Sequence, residues 1–250
     1  MGSVIRLKNL NIGSSPLGAI SVPFLPDSTM TLVPSVNGVV SKLPAGVTLT
    51  PVGSPTVTAD YIQGNANVNY LTTNYVRDST KSFTLALVMK RDAVNGTQFY
   101  AGDYHNASHP KYPNNAGMGI ISTSTQGIRP TIHLTSGSIF STSNMPAALN
   151  TGVNLGEWYF ACLTVNATTK TATLYVPALN VAWTDTYTSE MRPLEYDETF
   201  NFVGNVSGAS GGAAYLAQLS FYERHFTQAE VMQQYELSKR YCQAKGLTVN

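Results

Sequence analysis

Charge is what this sequence has least of: Asp, Glu, Lys and Arg make up 12% of its 250 residues, against about a quarter in an ordinary globular chain. With 15 basic and 14 acidic residues the formal net charge is +1. So weak a field gives no means of gathering a polyanion, which argues against nucleic acid or an anionic membrane surface as a partner. No run is apolar enough over enough residues to span a bilayer. The opening Met1-Gly2-Ser3-Val4-Ile5-Arg6-Leu7-Lys8 lacks the apolar centre and small-residue cleavage site of a secretory signal. Arg6 stands where a myristoylation signal wants Ser or Thr. Two cysteines, Cys162 and Cys242, are too few for a disulfide framework and are read as free thiols. Internal repeats and heptads are missing as well. What abounds is Ser, Thr, Asn and Gly, which implies a hydroxyl- and amide-rich surface suited to short strands, turns and neutral polar partners. The same abundance produces Asn-x-Ser/Thr sequons at Asn95, Asn106, Asn166 and Asn205 by chance, and they carry no argument.

The chain is organised around the stretch from Phe200 to Gly246. Strict alternation over Ala214–Tyr222 puts Tyr215, Ala217, Leu219 and Phe221 on one face of a strand and Ala214, Leu216, Gln218, Ser220 and Tyr222 on the other. The period then turns helical. Thr227 stands at the cap, Glu230 three residues on reaches back to it, Phe226 clasps Val231, and Gly246 supplies the left-handed stop. A single long helix is therefore expected from Phe226 to about Lys245.

Upstream, strands are expected near Val68–Leu71, Ser82–Arg91, Thr97–Gly102, Gly117–Ser122 and Ile128–Leu134. Phe83, Leu85, Leu87 and Met89 alternate with Thr84, Ala86, Val88 and Lys90, the pattern of a half-buried strand. Trp158–Val165 is apolar on both faces, hence central, and Thr171–Val176 is its hairpin partner. Residues 1–57 stand apart through Pro16, Pro23, Pro26, Pro34, Pro44, Pro51 and Pro55. Two readings fit them: an extended arm or small β-subdomain for attachment and oligomerisation, or an edge sheet packed on the rest, since proline is confined to edges and turns in either case.

Three blocks carry a family resemblance: Phe221-Tyr222-Glu223-Arg224-His225-Phe226-Thr227-Gln228-Ala229-Glu230-Val231, Gly156-Glu157-Trp158 with the strand and hairpin that follow, and Ser82–Lys90. Together they resemble laminin-G-like domains of the concanavalin-A-like lectin/glucanase jelly rolls, over roughly residues 58–245. The resemblance implies an all-β, antiparallel jelly-roll β-sandwich over residues 58–250, closed by one C-terminal α-helix. It is specific for fold and silent on function, because lectins, glycanases, adhesion modules and viral tail proteins share it.

Two loops offer ligand chemistry. Asp103–Asn115 holds Tyr104, His105, Asn106, His109, Tyr112 and Asn114, a mixture able to stack on a sugar ring and bond its hydroxyls. His105 and His109 find no third ligand for a transition metal. Asp103, Asn106 and Asn114 form no ligand pattern for calcium, so no metal or other cofactor is assigned, with calcium, common in the family, left open as the alternative. The second stretch, Pro177–Thr199, is expected as a loop bearing Trp183, Tyr187 and most of the local charge, either a ligand rim or a subunit contact. The glucanases' Glu-x-Asp-x-(x)-Glu begins in Glu195-Tyr196-Asp197-Glu198 but meets Thr199 and Phe200 where the second Glu is due, which counts against glycanase chemistry. Gly208-Ala209-Ser210-Gly211-Gly212 imitates a nucleophile elbow but precedes a strand rather than a helix.

The sequence thus predicts a non-catalytic, lectin-like binder whose tentative ligand residues are Tyr104, His105, Asn106, Tyr112, Asn114, Trp183 and Tyr187. A hydroxyl-rich sandwich behind an arm resembles, in architecture, phage tail-fibre and tail-tip proteins. Its expected partners are then a host-surface glycan or receptor and other virion proteins, in a homo-oligomer, a trimer by analogy. Its expected place is the virion, assembled in the host cytoplasm. The alternatives are a structural virion component contacting only protein, and a glycan-cleaving enzyme with unusual carboxylates.

Overall fold

The computed structural model describes residues 23–65, 67–92, 96–105, 115–123, 126–134, 137–140, 144–189, 198–205 and 212–250. Along them run β1 (Met30–Ser35), β2 (Gly38–Lys42), β3 (Leu49–Val52), β4 (Thr56–Val57), β5 (Ile62–Asn65), β6 (Tyr70–Thr73), β7 (Phe83–Arg91), β8 (Gln98–Gly102), β9 (Met118–Thr123), β10 (Gln126–Leu134) and β11 (Gly137–Ile139). After the short helix α1 (Ala148–Thr151) come β12 (Trp158–Asn166), β13 (Thr171–Val176), β14 (Val181–Thr186), β15 (Asn201–Phe202), β16 (Ala213–Tyr222) and the long helix α2 (Gln228–Ala244).

These strands form two antiparallel sheets. The first runs β14-β13-β12-β7-β16-β1-β2, with β5 also on β16 and β4 on β5; the second runs β11-β10-β9-β8-β15-β6-β3. Their facing side chains make one core, including Phe83, Leu85, Tyr159, Leu163, Tyr100 and Ile120. The expected hairpin is present, with Cys162 opposite Tyr175 and Asn166 opposite Thr171.

The outer face of the first sheet carries a second apolar layer. Ala86 and Val88 of β7, Phe160 and Cys162 of β12 and Tyr222 of β16 pack against Phe226, Val231, Tyr235 and Cys242 on and before α2. For this reason β7 is not half-buried as expected: eight of its nine residues are buried, because the helix covers the face that alternation assigned to solvent. The helix start forms as read. Thr227 Oγ1 accepts from Glu230 N at 3.3 Å and Glu230 Oε2 accepts from Thr227 N at 2.8 Å, while Gly246 ends it at φ 78°.

Three further expectations are corrected. Alternation along β16 breaks at an irregularity between Leu216 and Gln218. Ala214 and Leu216 face the core together with Leu219 and Phe221, whereas Ala217 and Tyr222 face the helix; one extra residue exchanges the faces. That switch divides the strand, its first half pairing with β5 and its second with β1.

The arm reading of residues 1–57 fails over the described part. β1 lies between β16 and β2, β3 pairs with β6, and β4 with β5, so residues 30–57 belong to both sheets. Pro34 lies beyond the β16-paired residues Met30–Leu32, and Pro51 sits on an edge strand, where a missing N–H is tolerated. Residues 1–22 lie outside the described residues.

Pro177–Thr199 is not a continuous loop. Pro177–Leu179 makes a 3-10 turn and Val181–Thr186 is the edge strand β14, paired with β13. Residues 190–197 lie outside the described residues.

Candidate functional site

The chain leaves β8 at Asp103, a fully buried carboxylate that fixes its path. Oδ1 accepts from Met118 N at 2.7 Å, and Oδ2 pairs with Arg77 Nε at 2.8 Å. The Arg77 guanidinium in turn lies 4.8 Å over the Phe83 ring. A buried pair of this kind holds geometry firmly, since removing either partner strands the other charge away from water.

Beyond this anchor, Tyr104 turns onto the outer face of the second sheet. Its ring stacks on His133 of β10, centroids 5.3 Å apart and planes at 19°, and its carbonyl accepts from Asn205 Nδ2 at 2.7 Å. The next residue, His105, exchanges 3.1 Å backbone hydrogen bonds with Ala116 in both directions. This bridge closes the neck of the Asp103–Asn115 loop, with the His105 side chain buried in it. The candidates Asn106, Tyr112 and Asn114 fall in the part of the loop outside the described residues.

β10 continues the site as a polar ledge. Ile128, Ile132 and Leu134 enter the core, so Arg129, Thr131 and His133 share the outward face, with Thr131 Oγ1 3.3 Å from His133 Nε2. On β9, Gly119 lies opposite Thr131, and a Cβ there would stand 2.9 Å from the Phe99 ring, so only glycine admits that ring. Burial raises the Tyr104 phenol above its usual range, opposed by the Arg129 charge, and burial lowers the Arg129 guanidinium, opposed by Tyr104. The ledge therefore carries the Tyr104 phenol, the His133 ring and the Arg129 guanidinium, with Thr131 buried beneath them.

Trp183 and Tyr187 do not join it. Trp183 points from β14 into the core, 7% exposed, edge-on to Phe140 at 4.9 Å and 73°. Tyr187 is 6% exposed in the same core. The expected single rim of Tyr104 with Trp183 does not form, because alternation along an edge strand turns Trp183 inward. Sequence reasoning missed Arg129, Thr131, His133 and Asn205. The first three were visible as polar residues at every second position of the strand expected near Ile128–Leu134, but nothing local marks Asn205 as a neighbour of Tyr104.

Of the carboxylates in the glucanase-like stretch, Glu198 alone is among the described residues. Glu198 is 6% exposed, and with burial its charge raises the Tyr70 phenol. Glu195, Asp197 and Ser210 lie outside the described residues. Among the described residues no three His, Cys, Asp or Glu side chains group as metal ligands, and no helix is long and apolar enough to cross a membrane.

Two antiparallel sheets with a polar, aromatic ledge on one outer face and a helix on the other define a lectin-like jelly roll. Residues 64–232 match the family model described as the Concanavalin A-like lectin/glucanases superfamily, and the chain belongs to that family. Similar solved structures include the botulinum neurotoxin serotype D binding domain, at 11% identity and TM-score 0.60 over 84% of this chain and 51% of that one. The botulinum neurotoxin type G receptor binding domain matches at 10% identity and TM-score 0.59, over 85% and 52%. The binding domain of botulinum neurotoxin DC in complex with SialylT matches at 11% and 0.59, over 85% and 52%. The chain spans about half the length of these structures, and identity this low speaks for the fold alone. No curated protein sequence matches.

Proposed function

We propose that the protein is a non-catalytic binding module that recognises a neutral glycan on a host surface and serves in a virion appendage of the tail-fibre or tail-tip kind. The observation that carries the binding half is the Tyr104–His133 stack beside Arg129, an aromatic face edged by imidazole and guanidinium groups, with the buried Thr131 hydroxyl 3.3 Å from His133 Nε2. A pyranose stacks its C–H face on such a ring while its hydroxyls take planar hydrogen bonds. Asn106, Tyr112 and Asn114 would reach the ligand from the loop whose neck His105 closes.

Membership of a lectin/glucanase family and the near-neutral, hydroxyl-rich composition support glycan over a charged polymer. The departure from the glucanase carboxylate pattern at Thr199 and Phe200 supports binding without cleavage. The virion setting and a homotrimer rest on architectural analogy, with Val36 and Val40 exposed around edge strand β2 as apolar surface for a neighbouring subunit.

A glycan array followed by calorimetry tests this reading. A hit should weaken at least several-fold in Tyr104→Ala and in His133→Ala, since truncating a central aromatic in a small interface commonly costs more than about 1 kcal/mol. The ledge would be the wrong site if both variants bind as the parent does, and the lectin reading fails if no glycan is retained. Release of free sugar from the bound ligand would make the protein an enzyme, and mass spectrometry of purified particles would decide the virion assignment.

A further inference from the structure

The start of β12 carries a feature that the ledge does not explain. β13 accompanies β12 only as far as Cys162 opposite Tyr175. The strand position beyond is filled by residues 249 and 250: Val249 bridges Trp158 in parallel, Asn250 N donates to Trp158 O at 2.9 Å, and Phe160 N donates to Asn250 O at 3.3 Å. This segment leaves a hollow on either side. One, of about 380 Å³, lies towards α2 and the 3-10 turn and is lined by Tyr159, Leu179, Tyr235 and Lys239. The other, of about 340 Å³, lies between Gly156–Trp158 and Gly246–Thr248. Glu157 and Asn250 line both.

Glu157 is exposed but not free to swing. Its Oε2 accepts from Asn250 Nδ2 at 3.0 Å and Asn154 Nδ2 at 3.1 Å, and from the Tyr159 hydroxyl at 2.9 Å, a proton shared with Gly152 O at 3.0 Å. No hydrogen bond from the described residues reaches Oε1. Fixing a long surface side chain costs rotamer entropy that a solvated glutamate ordinarily keeps. The donors on Oε2 leave Oε1, a strong charge-assisted acceptor, without a described partner on a residue that lines both hollows.

We propose that this junction is a second saccharide site, taking a neutral disaccharide unit with one ring in each hollow and hydroxyls of the linked rings donating to Glu157 Oε1. Each hollow lies near the lower end of the size range of small-ligand sites, roughly 300–1,000 Å³. Trp158 and Tyr235 are buried and give the hollows only apolar edges, so recognition falls to the polar groups: Glu157, the Asn250 amide and the exposed Thr248 hydroxyl. Lys239 Nζ, 5.4 Å over the Tyr235 ring, balances the Glu157 charge, so the site favours a ligand without net charge. This cleft lies beside the helix-bearing sheet, away from the Tyr104 ledge, and stands whether or not the ledge binds.

Titration of the ¹⁵N-labelled full chain with maltose, cellobiose and lactose at millimolar concentrations tests it. At least one sugar should give saturable shifts at the Trp158 indole N–H and at the Thr248 and Asn250 amides. Glu157→Gln should bind about tenfold more weakly, because its amide oxygen keeps the three donors and its NH₂ then replaces the acceptor, a change worth about 1.4 kcal/mol or more. An unchanged melting temperature would show that the variant is folded. Tyr104→Ala should leave these shifts intact, which separates this site from the ledge. No saturable shift with any of the three sugars, or equal affinity in Glu157→Gln, overturns the proposal. So does loss of the shifts in Tyr104→Ala.

Discussion

Thr84→Val is the substitution that examines most directly how the helix is held on the sandwich. Thr84 and Thr164 are opposite one another on β7 and β12, fully buried, with hydroxyls 3.0 Å apart. Phe226 N donates to both at 3.0 Å, and Thr84 Oγ1 donates to Arg224 O at 2.8 Å. Two hydroxyls thus hold the turn that delivers Thr227 to its capping position. Valine keeps the shape and removes the hydroxyl, so the Arg224 carbonyl loses its donor while Phe226 N keeps Thr164. One buried polar group left without its partner costs ~1–3 kcal/mol. In a chain of this length each kcal/mol moves the melting point by about 2–4 °C, so a fall of about 2–12 °C is expected. Urea unfolding should show a lower midpoint at unchanged slope. The double variant Thr84→Val/Thr164→Val should lose more than the two single effects combined, since only then does Phe226 N lose both acceptors, by a coupling of about 0.5–3 kcal/mol. A single-variant effect within about 0.5 kcal/mol, the range of an ordinary surface change, would refute the reasoning, and so would strict additivity.

Thr227→Ala should destabilise by ~0.5–2 kcal/mol at neutral pH. Burial by itself would raise the Glu230 carboxyl, but hydrogen bonds from Thr227 and Arg224 outweigh it and hold that carboxyl below its usual range. Its stabilisation is therefore full above the unfolded carboxyl pKa of about 4.3 and is lost as pH falls through the lower folded value, so the difference between Thr227→Ala and the parent should shrink in acid melts. Deleting residues 1–57 should abolish cooperative melting, because Met30 and Leu32 leave the core and β16 loses β1; a truncated chain that still melts sharply would restore the arm. Burial pushes both thiols up, Cys242 to about 12 and Cys162 further. Neither should react with a disulfide reagent at pH 8 until guanidinium unfolds the chain, and fast labelling of either in the native state would contradict the packing under α2.

Local signals were the legible ones. The capping box, the β12–β13 hairpin and most strands of the sandwich could be read because each depends on residues a few positions apart. What was misread depends on distant packing. The alternation in β7 looked half-exposed because a helix far along the chain covers Ala86 and Val88. Prolines suggested a separate arm although Pro34 and Pro51 stand where a lost N–H is harmless. Trp183 looked like a ligand platform because nothing near it in sequence announces Phe140. The candidate site was half legible: Tyr104 and His105 were found from loop composition, while His133 and Asn205 reach Tyr104 from other strands.

The pairing of β1 with β16 has a consequence for how the protein is made. Met30 meets Phe221, so β1, paired with β2 on one side, finds its second partner only in the last strand among the described residues. A ribosome adding roughly 5–20 residues per second lets β1 pair with β2 at once but leaves its other edge open for many seconds during synthesis. Until β16 emerges, β1 and β7 both carry an edge that β16 will later occupy. Folding dominated by such long-range contacts is slow, and the waiting edges invite pairing with neighbouring nascent chains. Production of soluble protein should therefore improve when translation is slowed or the temperature lowered, and a nascent chain halted before β16 should remain open to proteolysis however long it waits.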